Sequence, residues 1–173
     1  MQPSLTIERL QVLDDADLTA LADVLIDCVE GGASVSFMLP LPRAKATGFW
    51  QEVAKSAAAG ARELLVARNG DGMIVGTVQL VFAQPDNQPH RADISKLLVH
   101  RSARCLGLGA TLMSAAEECA RGAGITVLVL DTASEEAERL YERLGWQLSG
   151  RIPNYALWPD GGLCATSIYY KLL

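Results

Sequence analysis

The sequence carries little that could hold a metal. Its two histidines, His90 and His100, have no cysteine or second histidine at ligand spacing. The four cysteines, Cys28, Cys105, Cys119 and Cys164, form no Cys-x-x-Cys pair and no disulfide framework, so the thiols are expected to be reduced, with Cys28 and Cys119 on apolar helix faces. Bases are in deficit too: 15 against 20 acids give a formal net charge of -5, the wrong sign for gripping a nucleic-acid backbone. Apolar runs such as Ile125 to Leu130 fall far short of the ~20 residues that cross a membrane. No basic segment followed by an apolar stretch follows Met1, so no secretory signal is read and a cytoplasmic location is the expectation. Repeats, low-complexity tracts and linkers are absent, and 173 residues then suit one domain, 1–173, around one core.

What is present is a regular succession of elements. Residues 4 to 13 alternate in part, as a half-buried strand does. Asp14 or Asp15 can cap a helix with Leu18, Leu21, Val24, Leu25 and Cys28 at helical spacing, ended by Gly31-Gly32. A loop to Pro42 precedes a second helix over about 43–59. Strands over 62–68 and 73–84 flank Asn69-Gly70-Asp71-Gly72 and should pair antiparallel. Ala92 to His100 is a further strand, followed by a helix with Leu108, Leu112, Ala115 and Cys119 on one face. Ile125 to Leu130 reads as a central strand covered on both faces, Ser134 to Leu144 as a helix, and 146–151 and 163–172 as closing strands around the turn Pro159-Asp160-Gly161-Gly162. The order predicts an α/β (mixed α+β) fold, a mixed, mostly antiparallel sheet flanked by helices.

Between the strand ending near His100 and the helix after it lies Arg104-Cys105-Leu106-Gly107-Leu108-Gly109-Ala110. A strand that runs through a glycine turn into a helix leaves several backbone N–H groups at the helix start, where they favour an anion. Gly107 and Gly109 allow close approach to a pyrophosphate, and Arg104 can add a cation. A tight packing turn would have the same composition. Two other phosphate motifs are excluded: a dinucleotide fingerprint would need Gly or Ala where Leu112 stands, and no Gly-Lys-Ser/Thr triplet occurs.

Asp93-Ile94-Ser95-Lys96-Leu97-Leu98-Val99 with the turn Arg104 to Gly109 resembles the acetyl-CoA-binding strand and turn of the GNAT superfamily. Ala137-Glu138-Arg139-Leu140-Tyr141-Glu142-Arg143-Leu144-Gly145-Trp146 resembles that family's second signature. The likeness extends to the tabtoxin resistance protein and its relatives through Gly31 to Met38, Lys96-Leu97-Leu98-Val99 and Pro159-Asp160-Gly161, and covers nearly the whole chain. It implies the GNAT fold, acetyl-CoA as cosubstrate without a metal, and transfer of acetyl to an amine of a small molecule, by a monomer or homodimer with no nucleic-acid or membrane partner. Acetyl-CoA would be held by Leu98, Val99, Arg104, Cys105, Leu106, Gly107, Leu108, Gly109 and Ala110, with Ser134 where many members carry an Asn. Cys105 and Leu106 depart from the family's usual Gly and basic residue.

Acyl transfer to an amine needs a neutral amine, stabilisation of a developing oxyanion and a proton for the leaving thiolate. By resemblance, Asp93 occupies the position of a family Glu that draws the amine proton, here through a relay because Asp is shorter; alternatively it is a solvated strand-end acid. Asp131 ends the central strand, where open α/β sheets place ligands, and should lie across the cleft from Asp93; alternatively it caps the next helix. Either acid could be the base. Tyr141 matches the family tyrosine that protonates the thiolate, against a packing role, and the Leu98 N–H could polarise the thioester carbonyl if its strand splays. No histidine is placed to activate Cys105, so direct transfer is expected. Ser34, Phe37 and Tyr155, the last on the connection between the closing strands, would line an acceptor pocket suited to an amino-acid-like molecule, a β-lactam amino acid first. A protein lysine or N-terminus as acceptor, or an acyl-CoA-binding module without turnover, are the other readings.

Overall fold

The computed structural model describes residues 5–173, and its elements begin and end where side-chain chemistry sets the boundaries. Strand β1 is Thr6–Leu10, shorter than its sequence pattern, whose first residue, Ser4, lies outside the described residues. Helix α1, Asp15–Glu30, starts at Asp14, whose carboxylate accepts from the Asp17 N–H at 2.8 Å in a capping box, and Gly32 follows its end with φ of 90°. Then come α2 (Arg43–Ala58), β2 (Arg62–Arg68), β3 (Ile74–Phe82), β4 (Arg91–Val99), a 3-10 turn at Arg101–Ala103 that no pattern announced, α3 (Leu108–Gly122), β5 (Val127–Thr132), α4 (Glu135–Arg143), β6 (Gln147–Leu157) and β7 (Leu163–Leu172).

The strands form one seven-stranded sheet in the order β1-β2-β3-β4-β5-β7-β6. All pairs are antiparallel except β4 with β5. Helices α1 and α2 cover one face with a cluster around Leu21, Leu25, Trp50, Leu64 and Val66; α3 and α4 cover the other, around Leu80, Leu112, Met113, Leu128 and Tyr169. Burying one such side chain is worth roughly 1.5–3 kcal/mol, so these two layers carry the fold. A buried network ties α3 to β7: Glu117 accepts from Lys171 Nζ at 2.9 and 2.8 Å and from Trp146 Nε1 at 3.0 Å. An acid this buried persists because each oxygen is paired.

One expectation about packing is borne out and one is corrected. Helix α3 buries Leu108, Leu112, Ala116 and Ala120, and Ala115 and Cys119 pack half-buried against the same core. Seven and eleven residues on from Leu108, they return to its side of the helix. Strand β5 is covered on one face only: Leu128 and Leu130 are buried against α3, whereas Val127 and Val129 are half-buried because the α1–α2 cluster takes no residue from β5, β6 or β7. That uncovered sheet face, beyond α1 and α2, is where the cleft lies.

Two irregularities in β4 shape that cleft. Pairing with β5 comprises only Arg91 with Val127, Ala92 with Leu128 and Asp93 with Val129, after which the strands diverge while both continue. The register with β3 also shifts between Thr77 and Gln79, a bulge that carries Lys96 in left-handed backbone at φ 52°. As a result Ala92 and Ile94 pack in the α3 layer, whereas Leu98, an even number of residues on, packs under α1 and α2.

Candidate active site

The glycine turn is built as a donor cradle. Gly107 is the N-cap of α3 at φ 75°, and Cys105 is left-handed as well at φ 60°. A Cβ on Gly107 would meet nothing within 4 Å, so glycine is required there by the backbone, not by space; Gly109 is the reverse, since its Cβ would stand 3.2 Å from Leu140 Cδ2 on α4. None of the N–H groups from Cys105 to Ala110 finds a hydrogen-bond acceptor among the described residues. Cys105, Leu106 and Gly107 are exposed. Unpaired donors at an exposed helix start fit the pyrophosphate of a nucleotide cosubstrate. Glycine would adopt the left-handed Cys105 backbone without strain.

Arg104 takes a different part from the one its sequence position suggests. Its Nε donates to the Val99 carbonyl at 3.1 Å, and its Nη2 lies 3.8 Å from Asp27 Oδ2. Buried Asp27, on α1, also accepts from the Arg101 N–H at 2.9 Å and pairs with the Arg101 guanidinium. Arg104 is therefore folded back as a staple between the turn, the end of β4 and α1. Asp27 escaped the sequence reading because nothing local links it to the turn.

Along the cleft, Leu98 lies on β4 past the point of divergence, buried, with Val99 half-buried beside it. Tyr141 sits on α4 with its ring buried between Trp146 and Tyr169, centroids 6.0 Å from each. Its hydroxyl has no hydrogen-bond partner among the described residues, and burial first, the Asp131 charge second, push its pKa well above the usual phenol value. Ser134 is the N-cap of α4, accepting from the Ala137 N–H at 3.3 Å. Asp131 is consequently not the cap: its Oδ2 accepts from the Thr166 hydroxyl on β7 at 2.9 Å. Asp93 pairs with Arg91 Nη1 at 2.7 Å, half exposed. Register puts Asp93 beside Val129, so the two acids occupy one sheet face on adjoining strands, Asp131 two positions further on, rather than opposite walls.

A cavity of about 290 Å³ opens beside Asp131, walled by Ser34, Phe37 and Met38 from the 31–39 loop and by Tyr155 and Thr166 from the last two strands. The loop is fastened rather than free: the Leu39 N–H donates to the Pro159 carbonyl at 2.8 Å, and the Ser34 hydroxyl donates to the Leu157 carbonyl at 3.0 Å. Ser34 thus holds the wall in place. Tyr155 belongs to β6 itself, not to a connection, 56% exposed beside Asn154 at φ 54° and the register break from Ile152 to Ala156. Pro153 is tolerated because β6 is the edge strand. Lys96, which the motif contained but the sequence reading gave no role, reaches the same region, its Nζ 3.3 Å from Ser36 Oγ.

A parallel pair that splays, a donor cradle at the next helix and a buried phenol within reach of the Asp131 charge are the parts of an acyl-transfer cleft. Residues 35–146 match the acetyltransferase (GNAT) family. The chain belongs to that family. It is 33% identical over 162 residues to an uncharacterised N-acetyltransferase from the hisH-hisA intergenic region of Azospirillum brasilense, covering 91% of this chain and 94% of the relative. Its fold matches a phosphinothricin acetyltransferase from Sinorhizobium meliloti solved with acetyl-CoA, at a TM-score of 0.80 and 19% identity over 100% of this chain and 89% of the other. A GCN5-related N-acetyltransferase from Kribbella flavida matches at 0.79 and 21%, over 98% of each chain. This GNAT protein is an acetyl-CoA-dependent N-acetyltransferase. Among the described residues no helix is long and apolar enough to cross a membrane.

Proposed function

We propose that this enzyme, acting as one catalytic domain over 1–173, acetylates the amine of a small amino-acid-like molecule by direct transfer. The observation that carries this reading is the cavity beside Asp131: at about 290 Å³ it is near the small end of ligand sites, and its loop wall is tied to the β6–β7 turn by hydrogen bonds. Polypeptide acceptors would need an open groove there.

Acetyl-CoA, when bound, supplies an activated acetyl thioester. The unpaired N–H groups of Cys105 to Ala110 would hold its phosphates, and the Leu98 N–H on the splayed strand would stabilise negative charge growing on the carbonyl oxygen. Asp131, fixed by Thr166, would attract the acceptor ammonium and receive its proton; Asp93, already paired with Arg91, suits a relay through water. Tyr141 would deliver a proton to the departing sulfur. A β-lactam amino acid is the first candidate acceptor, which would make the activity one of toxin resistance, and the cytoplasm is the proposed setting. The reading is tested by an acceptor screen at equal concentration with thiol detection, comparing amino acids, dipeptides, β-lactam amino acids, polyamines, aminoglycosides and histone-like peptides. Amino-acid-like compounds should release coenzyme A fastest; release by only the peptides or the polyamines refutes the small pocket.

A further inference from the structure

The acceptor cavity has charges of both signs near it. Asp131, Ser36 and Phe37 line it. Beyond Ser36 and Phe37, Lys96 Nζ lies 5.9 Å from the Phe49 ring centre and Lys45 Nζ 5.9 Å from that of Phe37. The two rings meet edge to face at 5.3 Å, so a pair of lysines brackets one aromatic pair. Lys96 is the inner of the two. Among the described residues the lysines that find a carboxylate are Lys55 and Lys171, and Lys96, half-buried, has only the Ser36 hydroxyl. Burial lowers its pKa and the Asp131 charge partly restores it.

The backbone on both sides of this contact is left-handed, with φ of 78° at Ser36 and 52° at Lys96, although both residues carry a Cβ. Such strain persists where the surroundings over-determine it, and it concentrates at ligand sites. The β4 bulge is what turns Lys96 out of the α3 layer, where unbroken alternation after Ala92 and Ile94 would have put it, and aims it toward Ser36.

We propose that Lys96, with the Ser36 hydroxyl, anchors a carboxylate of the acceptor, so that the enzyme selects amines that carry one. This rests on the cavity being the acceptor site. An amino acid satisfies both sides at once, its ammonium toward Asp131 and its carboxylate on Lys96 through a charge-assisted hydrogen bond. A polyamine or aminoglycoside would bring a second cation to Lys96 and be repelled, which supplies discrimination as well as attraction.

The experiment compares kcat/KM for free L-amino acids and for their α-amides, which keep the amine and lose the negative charge, in the wild type, Lys96→Met and Lys96→Arg. The wild type should favour acid over amide by about 10- to 100-fold, the size of a charge-assisted hydrogen bond. Lys96→Met should erase that ratio by raising KM for the acid far more than for the amide, and Lys96→Arg should keep most of it. The ratio does not depend on how much of a variant is folded. A wild type that treats acid and amide alike overturns the anchor but leaves the acceptor site standing, as does Lys96→Met lowering kcat equally on both. A wild type that acetylates neither overturns both readings.

Discussion

A phenol enclosed by Trp146, Tyr169 and the sheet can serve only as a neutral donor, and Tyr141 is such a phenol. Burial and the Asp131 charge both raise its pKa, so it keeps its proton throughout the neutral range. Tyr141→Phe removes one oxygen from a ring whose packing is otherwise intact. Its kcat should fall about 10²-fold or more with the KM for acetyl-CoA nearly unchanged, by steady-state kinetics with a competent acceptor. An unchanged kcat would make Tyr141 a packing residue. At this scale the sequence placed Tyr141 on its helix and Asp131 at its strand end, because each is tied to local pattern. It could not show which way Arg104 or Lys96 points. Arg104 is turned by Asp27 from a helix far upstream, and Lys96 by a bulge that depends on pairing with β3; neither is encoded nearby.

Among the elements, the turn from β4 into α3 has the most specific chemistry. Its unpaired donors and the left-handed Gly107 make one prediction for binding. Acetyl-CoA at about 100 times its Kd should stabilise the fold by about 2.7 kcal/mol, a melting-temperature rise of roughly 5–10 °C for a chain of this size. Gly107→Glu forces a side chain into left-handed backbone, at a cost of about 1–2 kcal/mol, and sets a carboxylate against the phosphates. In a thermal-shift titration the variant should melt somewhat lower and lose the rise on adding acetyl-CoA; a rise equal to that of the wild type would remove the turn from the cofactor site. This element was legible beforehand because glycines, flanking strand and apolar helix period all lie within a few residues. Strand β6 was less so: Pro153 and the polar residues around it interrupt the alternation, and only its pairing with β7 extends it to Leu157 and brings Tyr155 to the cavity wall.

For the whole molecule, the order of strands and helices followed from periodicity and turn residues, while the cleft did not. The cleft comes from β4 and β5 parting after Asp93 and Val129, and from α1 and α2 leaving β5 uncovered, so an apolar run that looked enclosed on both faces is open on one. The proposed chemistry in that opening is a direct transfer, with no acyl group parked on Cys105, which is exposed in the turn and has no hydrogen bond to a histidine among the described residues. Mass spectrometry of a reaction with acetyl-CoA and a mixture of free amino acids, reading both the intact protein and the small molecules, tests this most directly. The acetyl group should appear on the amine of an amino acid while the protein's mass stays unchanged throughout turnover. An acetylated protein that forms first and passes its acetyl group on, or turnover that leaves every amino acid unmodified, would contradict it.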